Sequence, residues 1–185
     1  MEQKIEYKVI RSRRRSVGLQ IKDGELLVRA PYRITDKEIS NIINLRKNWI
    51  LKHLEMSRSD MDIADKEGRL SEEDIRRLAE QAKAVIPGRV SYYARQLGVT
   101  YGRITIRNQR TRWGSCSAKG NLNFNCLLML TPPEVIDSVV VHELCHLKEM
   151  NHSSRFYREV LSVYPDYYKW NKWLKDNGGA LMQRM

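Results

Sequence analysis

Residues 139–152 hold three of the chain's four histidines, and two of these, His142 and His146, are four positions apart. On a helix this spacing places both imidazoles on one face, about one turn apart, where they can bind the same metal ion. Glu143 follows the first histidine directly, the position from which a carboxylate contacts a metal-activated water without being a ligand. Because a structural zinc site has no use for that carboxylate, the pattern predicts a catalytic metal.

The third ligand has to come from elsewhere, since catalytic zinc usually takes three protein groups and a water. His152 lies six residues beyond His146. On a continuing helix its side chain would point roughly 240° away, at about 100° per residue. His152 therefore reaches the same ion only if the helix ends first and the chain turns back. Asn151 is a residue type that tolerates the left-handed conformation found at helix ends.

The helix that carries the first two histidines has recognisable start signals. Residues 131–134 (Thr-Pro-Pro-Glu) offer Thr131 as an N-cap, proline in the first turn and Glu134 at the capping-box position. On a helical wheel, His142 and His146 lie at the edge of a broad apolar side. That side consists of Val135, Ile136, Val139, Val140, Leu144 and Leu147. We therefore expect the histidines to face a cleft.

Length and composition limit the setting of this site. A chain of 185 residues predicts one domain, or one domain with an appended lobe. No apolar run approaches the roughly 18 residues that a membrane span needs, and the N-terminus carries no apolar signal region. Three cysteines, an odd number, fit no disulfide framework and indicate a reducing compartment. A cytoplasmic location without membrane contact is the expectation.

The charge distribution bears on the substrate. Formal net charge is +11, and residues 81–133 contain no aspartate or glutamate. This acid-free segment contains eight basic residues: Lys83, Arg89, Arg95, Arg103, Arg107, Arg110, Arg112 and Lys119. One interpretation is a solvated basic surface; the other is a wall that attracts a nucleotide, nucleic acid or an acidic peptide.

The N-terminal part of the chain reads as strands followed by a helix. Apolar alternation predicts short strands within residues 5–30, with a hairpin turn at residues 22–24. A capping box at Thr35 and Glu38 predicts a helix that runs to about residue 56. The polar, aperiodic residues 57–69 are interpreted as a mobile connection. We therefore divide the chain into an N-terminal strand and helix lobe, residues 1–57, and a metal-binding catalytic domain, residues 70–185.

Within the second part, a long helix is predicted to begin at Ser71, to be kinked or interrupted at Pro87, and to end at Gly98. Residues 102–130 alternate as a small antiparallel sheet. After the histidines, Ser153 is placed to cap a short helix. A last helix is expected from Pro165 to the glycines at 178–179. The predicted class is α+β, with the small sheet packed beside the metal-binding helix.

These motifs together resemble one known family. The segment Arg112-Trp113-Gly114-Ser115-Cys116-Ser117, then Asn125, residues 141–147, residues 151–153 and Phe156 are similar to the YgjP-like zinc metallopeptidases, themselves related to SprT-like proteins. The resemblance implies a zincin-like core, with His142, His146 and His152 on zinc and Glu143 as the general base. It also implies two activities, because metal-dependent hydrolysis of nucleoside triphosphates has been ascribed within this family.

We therefore expect a zinc-dependent hydrolase, most consistent with a metallopeptidase in which Glu143 deprotonates a zinc-activated water. The alternatives are a metal-dependent nucleoside triphosphate pyrophosphatase, favoured by the acid-free segment, and a non-enzymatic nucleic-acid-binding module with a structural metal. The intact Glu143 argues against the last. Developing negative charge needs a positive or hydrogen-bonding partner. The candidate substrate-binding residues are Arg112, Trp113, Asn125 and Arg155.

Overall fold

The structure, a computed structural model, describes residues 5–185. The chain divides into two compact units, and the boundary in the sequence falls between Glu67 and Gly68. The first unit contains β1 (Tyr7–Ser12), β2 (Gly18–Lys22), β3 (Glu25–Pro31), α1 (Asp36–Leu45) and α2 (Lys47–Glu67). The second contains α3 (Glu72–Leu97), β4 (Ile104–Arg107), β5 (Gly114–Cys116), β6 (Leu122–Asn125), a 3-10 helix (Cys126–Leu130), α4 (Pro133–Cys145), α5 (Ser154–Val163) and α6 (Tyr167–Gln183). The α+β prediction is confirmed.

In the first unit, β3 lies between β1 and β2. The predicted hairpin turn is confirmed: Asp23 and Gly24 both have positive φ, 50° and 72°, the combination that a two-residue turn between twisted strands requires. The predicted capping box is also confirmed, with the Thr35 hydroxyl accepting from the Glu38 amide and the Glu38 carboxylate accepting from the Thr35 amide. Buried residues of β3, α1 and α2 form a separate small core.

The interpretation of residues 57–69 as a mobile connection is wrong for most of that segment, because α2 continues to Glu67. The Ser57 hydroxyl accepts a hydrogen bond from the Gly24 amide at 3.2 Å, and the Met61 sulfur lies against Gly24. Contacts with the β2–β3 turn thus support these helical turns. These contacts join residues far apart in the sequence, so the helical periodicity of residues 57–69 could not predict them.

The second unit begins with α3, which starts after Ser71 and ends at Gly98, both as predicted. Ser71 and Asp74 form a capping box at its start, and Gly98 is left-handed. Of the two outcomes predicted at Pro87, a kink or an interruption, the interruption is wrong, since the helix is continuous through the proline. Ile86 and Val90, on either side of the proline, are fully buried. Their packing offsets the hydrogen bond that proline removes from the helix interior.

The sheet of the second unit has the order β4-β6-β5, so the predicted antiparallel sheet is wrong in one of its two pairings. β5 and β6 are antiparallel neighbours, but β4 pairs with β6 in parallel. Strands that follow one another in the sequence run in opposite directions, but β6, the last of the three, lies between β4 and β5 in the sheet instead of at its edge. The inner face of β6 buries Leu122 and Phe124, which places the most apolar strand at the centre.

α4 lies in the main core of the second unit. Its N-cap is Pro132 rather than the predicted Thr131, because the Thr131 hydroxyl donates to the Leu128 carbonyl and closes the preceding 3-10 helix instead. The helix ends at Cys145, so the predicted stop before His152 is confirmed. Among residues 5–185 the only non-glycine with positive φ is Asp23, so a left-handed Asn151 is wrong.

The prediction that α6 ends at the glycines 178–179 is also wrong, since the helix continues to Gln183. Gly178 is buried, and a Cβ added to it would meet the Trp113 indole at 3.0–3.2 Å. This glycine therefore allows close packing of the helix and does not end it. Of the helices between residues 5 and 185, none is long and apolar enough to cross a membrane.

Candidate metal centre

The three histidines converge through their Nε2 atoms. The Nε2 atom of His142 lies 3.2 Å from that of His146 and 3.0 Å from that of His152. Three nitrogens bound at about 2.0–2.1 Å to a tetrahedral ion are about 3.3 Å apart, so these distances fit a shared cation. Within the described part of the chain, this is the one group of three or more histidine, cysteine, aspartate or glutamate side chains whose ligand atoms lie close enough to share a metal ion.

The end of α4 brings this cluster together. His142 lies in the last turn of the helix, and His146 is the C-cap residue that follows it. The amides of Leu147 and Lys148 donate to the carbonyls of Leu144 and Cys145 in a tight turn. The chain then reverses so that His152 precedes α5. The fully buried Phe156 ring contacts all three imidazoles, with centroid distances of 5.0, 4.7 and 4.9 Å to His142, His146 and His152. This apolar floor limits the orientations of the three rings.

The Nδ1 atoms of His142 and His146 have protein partners. The Glu149 carbonyl accepts from His146 Nδ1 at 3.2 Å, and the Tyr167 hydroxyl lies 2.8 Å from His142 Nδ1. Burial and the neighbouring imidazoles lower the pKa of His142 to about 4, so this ring is neutral. A neutral ring whose Nε2 binds a cation carries its proton on Nδ1, so the Tyr167 hydroxyl acts as the acceptor.

Tyr167→Phe tests this acceptor. Without the hydroxyl the His142 Nδ1–H loses its partner, and we expect zinc affinity to fall by about tenfold, the lower end for groups that orient a ligand. Competition with a chromogenic chelator measures the affinity. Tyr168→Phe, at a neighbouring tyrosine that is 55% exposed, is the matched control. Equal affinities for the two variants would contradict the assignment.

Glu143 lies beside the cluster and is only 6% exposed. Its carboxylate lies close to the backbone N–H of Cys116 in β5 and in the field of the Arg112 guanidinium. Burial raises the pKa of Glu143 to about 8, against the opposing effects of Arg112 and Cys116. A cation held by the adjacent histidines would lower this pKa again. Burial and a bound cation would therefore act in opposite directions on the protonation of this carboxyl group.

Gly114 provides the space for this carboxylate. A Cβ added to Gly114 would lie 2.6 Å from Oε1 and 2.7 Å from Cγ of Glu143, closer than atoms in contact allow. A side chain at this position of β5 would therefore displace Glu143.

Gly114→Ala is accordingly expected to reduce any turnover that depends on Glu143 by at least about tenfold, an effect of about 1.4 kcal/mol on the barrier, while the histidines keep their affinity for added zinc. The measurement is kcat/KM together with zinc content. Gly88→Ala is the matched control, because an added Cβ there has no neighbour within 4 Å. Loss of zinc in Gly114→Ala, or unchanged turnover, would refute this account.

The segment that carries the remaining candidates is held by Asn125. The Asn125 Nδ2 donates to the carbonyls of Gln109 and Arg112 at 2.6 and 3.0 Å, and Oδ1 accepts from the Leu127 amide at 3.1 Å. The side chain is fully buried, and all these groups are engaged with backbone. Its contacts are those of a residue that positions the loop. Arg112 lies on this loop, and its charge acts on Glu143. Trp113 packs against Gly178.

Arg155 lies apart from this loop. Its side chain is 71% exposed and pairs with Glu149 at 3.1 Å. The carbonyl of Glu149 is the acceptor for His146. Arg155 therefore links the first turn of α5 to the turn that orients His146.

Sequence reasoning did not identify Tyr167 as a partner of His142, nor the close contact between Gly114 and Glu143. Gly114 is part of the motif that carried the family resemblance, and that motif was the signal in the sequence that could have identified it. No sequence signal identified Tyr167, because it lies 25 positions from His142 and stands in a run of aromatic residues at helical spacing.

No curated protein matches the chain significantly. Two solved structures share part of it: the metallopeptidase zymogen of Pyrococcus abyssi abylysin, at 24% identity and a TM-score of 0.45, and that of Methanocaldococcus jannaschii jannalysin, at 21% and 0.42. Each covers 49% of this chain, and 93% and 95% of the two zymogen chains respectively.

A family comparison covers more of the chain. Residues 64–177, which include β5, all three histidines and Glu143, match the family described as YgjP-like, metallopeptidase domain. The resemblance read from the motifs is confirmed, and the chain belongs to the YgjP-like metallopeptidase family.

Proposed function

We propose that residues 70–185 form the catalytic domain of a zinc metallopeptidase in which Glu143 is the general base. Family membership makes the chain a metallopeptidase-type hydrolase. The observation that supports the finer assignment is the convergence of three Nε2 atoms beside a buried carboxylate that is not among them. A site built only to stabilise the fold has no need of that carboxylate.

The donor set favours zinc. Three neutral imidazoles suit zinc and other transition ions, whereas magnesium and calcium prefer carboxylate and carbonyl oxygens. When bound, zinc supplies a Lewis acid that acidifies water and polarises a carbonyl. The residues proposed to hold it are His142, His146 and His152.

Glu143 is the residue proposed to move protons. Its carboxylate takes a proton from the water that attacks the scissile carbonyl carbon, and then delivers that proton to the amide nitrogen as the C–N bond breaks. Burial favours the protonated form of the Glu143 carboxyl group. The carboxyl group can therefore hold the proton between the first transfer and the second. The Arg112 guanidinium, in the field of the same carboxylate, is our candidate for stabilising negative charge on the carbonyl oxygen.

The edge of β5 is a suitable place for a polypeptide substrate. The Trp113 carbonyl accepts from the Asn125 amide, and the Ser117 amide donates to the Asn121 carbonyl. The main-chain groups of Trp113 and Ser117 therefore point toward β6. The intervening Gly114 and Cys116 direct their main-chain groups to the other edge, where the Cys116 N–H meets Glu143. In the described chain no strand pairs with that edge. An extended peptide added there would pass directly beside Glu143.

The acid-free segment keeps the nucleotide hypothesis as a second candidate, because its Arg112 places a positive charge within electrostatic reach of Glu143. One assay separates the two. Zinc-loaded protein is incubated in parallel with an unfolded polypeptide and with nucleoside triphosphates, and metal-stripped protein is the control. We expect peptide fragments by mass spectrometry and no pyrophosphate. Pyrophosphate without fragments would overturn the peptidase proposal and support the alternative.

A further inference from the structure

A groove of about 460 Å³ lies along β4, the sheet edge opposite β5. Lys83 and Pro87 of α3 line one side, and residues 103–107 line the other. β6 separates β4 from β5, so this groove and the carboxylate of Glu143 are on different edges of the sheet. We call it the β4 groove. The mechanism proposed above does not use it.

The β4 groove exposes main-chain hydrogen-bonding groups. The Arg103 carbonyl accepts from the Leu122 amide, so Arg103 faces β6. Because successive residues of a strand direct these groups to opposite edges, those of Ile104 and Ile106 point away from β6. In residues 5–185 no strand pairs with β4 on that side. A free strand edge of this kind is where an extended peptide adds to a sheet.

The side chains of the β4 groove are basic. Arg103 and Arg107 are exposed and share one face of the strand, and neither forms an ion pair within the described residues. Lys83 pairs with Glu80 on α3, which compensates part of its charge. Since the acid-free segment, residues 81–133, includes both walls, the nearby sequence offers no other acid to neutralise the two arginines.

We propose that the β4 groove binds an extended, acidic polypeptide segment by strand addition, as a docking site separate from the histidine cluster. Main-chain hydrogen bonds to Ile104 and Ile106 supply the alignment, and Arg103 and Arg107 select for acidic side chains. A single-stranded nucleic acid fits less well, because its bases stack on aromatic side chains and the groove has none. The proposal goes beyond the proposed peptidase activity and does not depend on it.

Fluorescence anisotropy with the full chain tests the proposal directly. The probe is a short labelled peptide that alternates glutamate and valine, and binding is measured with zinc-loaded and metal-stripped protein. Arg103→Glu/Arg107→Glu is expected to weaken binding by at least about tenfold, because two attractive contacts become repulsive. Arg95→Glu/Lys119→Glu changes the net charge equally at exposed positions outside the groove and should change the affinity by less than about twofold.

A second comparison keeps the protein unchanged. The same peptide with alternate backbone amides N-methylated cannot complete the ladder, so we expect it to bind about tenfold more weakly. Equal affinity for both peptides would show attraction by charge alone and overturn strand addition. Equal weakening by the two double variants, or tighter binding of a single-stranded oligonucleotide than of the acidic peptide, would overturn the docking site. Because the assay measures binding, loss of peptidase activity leaves its outcome intact.

Discussion

Glu143→Gln is expected to reduce peptide hydrolysis by about a thousandfold, within the range for loss of general acid–base catalysis, while about one zinc per chain is retained. The amide has nearly the same shape as the carboxyl but cannot take a proton from water. Because Glu143 is not one of the three converging nitrogen donors, metal affinity should be little affected. Turnover and zinc content are measured on the same sample.

The matched control is Glu134→Gln, the same substitution at an exposed position in the first turn of the same helix. It should keep parental turnover. If Glu143→Gln hydrolyses peptide as fast as the parent, Glu143 is not the base. If it loses zinc, the carboxylate belongs to the metal's ligands, and the separation of the two roles is wrong.

His142→Ala and His146→Ala are each expected to lose stoichiometric zinc, and activity with it. Removing one of three imidazoles leaves two protein ligands, too few for the three that catalytic zinc takes from the chain. His152→Ala tests the most exposed of the three rings, and we expect it too to lower the zinc content of the purified protein. Atomic absorption measures zinc per chain after dialysis.

His53→Ala provides the control, because His53 lies in the first unit, stacked on Trp49, and is the chain's remaining histidine. Its zinc content should equal that of the parent. Full retention of zinc affinity by any one of the three site variants would remove that histidine from the ligand set. Circular dichroism on each variant separates loss of a ligand from loss of the fold.

Features that depend on near neighbours in sequence were predictable. The capping boxes at Thr35 and Ser71 and the left-handed Gly98 follow from hydrogen bonds within one turn of helix. The turn at Asp23 and Gly24 follows from the few residue types that adopt positive φ. The same reasoning found the two histidines on one helical face and the end of α4 before His152.

Features that depend on packing between distant segments were not predictable. The order of the second sheet, with β6 at the centre, reflects which strand buries both of its apolar side chains. Continuity of α3 through Pro87, and of α6 through Gly178, depends on neighbours supplied by other elements. Local propensity predicts a break at each of these residues, and tertiary contacts override it.

The candidate site divides in the same way. The sequence by itself determined the candidate metal-binding histidine motif, its adjacent carboxylate and the family, because these rest on residue type and helical spacing. The tertiary structure alone decided that Tyr167 meets His142, that Phe156 supports all three rings, and that Gly114 makes room for Glu143. Those contacts join segments far apart in the chain, and no periodicity in the sequence encodes the distance between them.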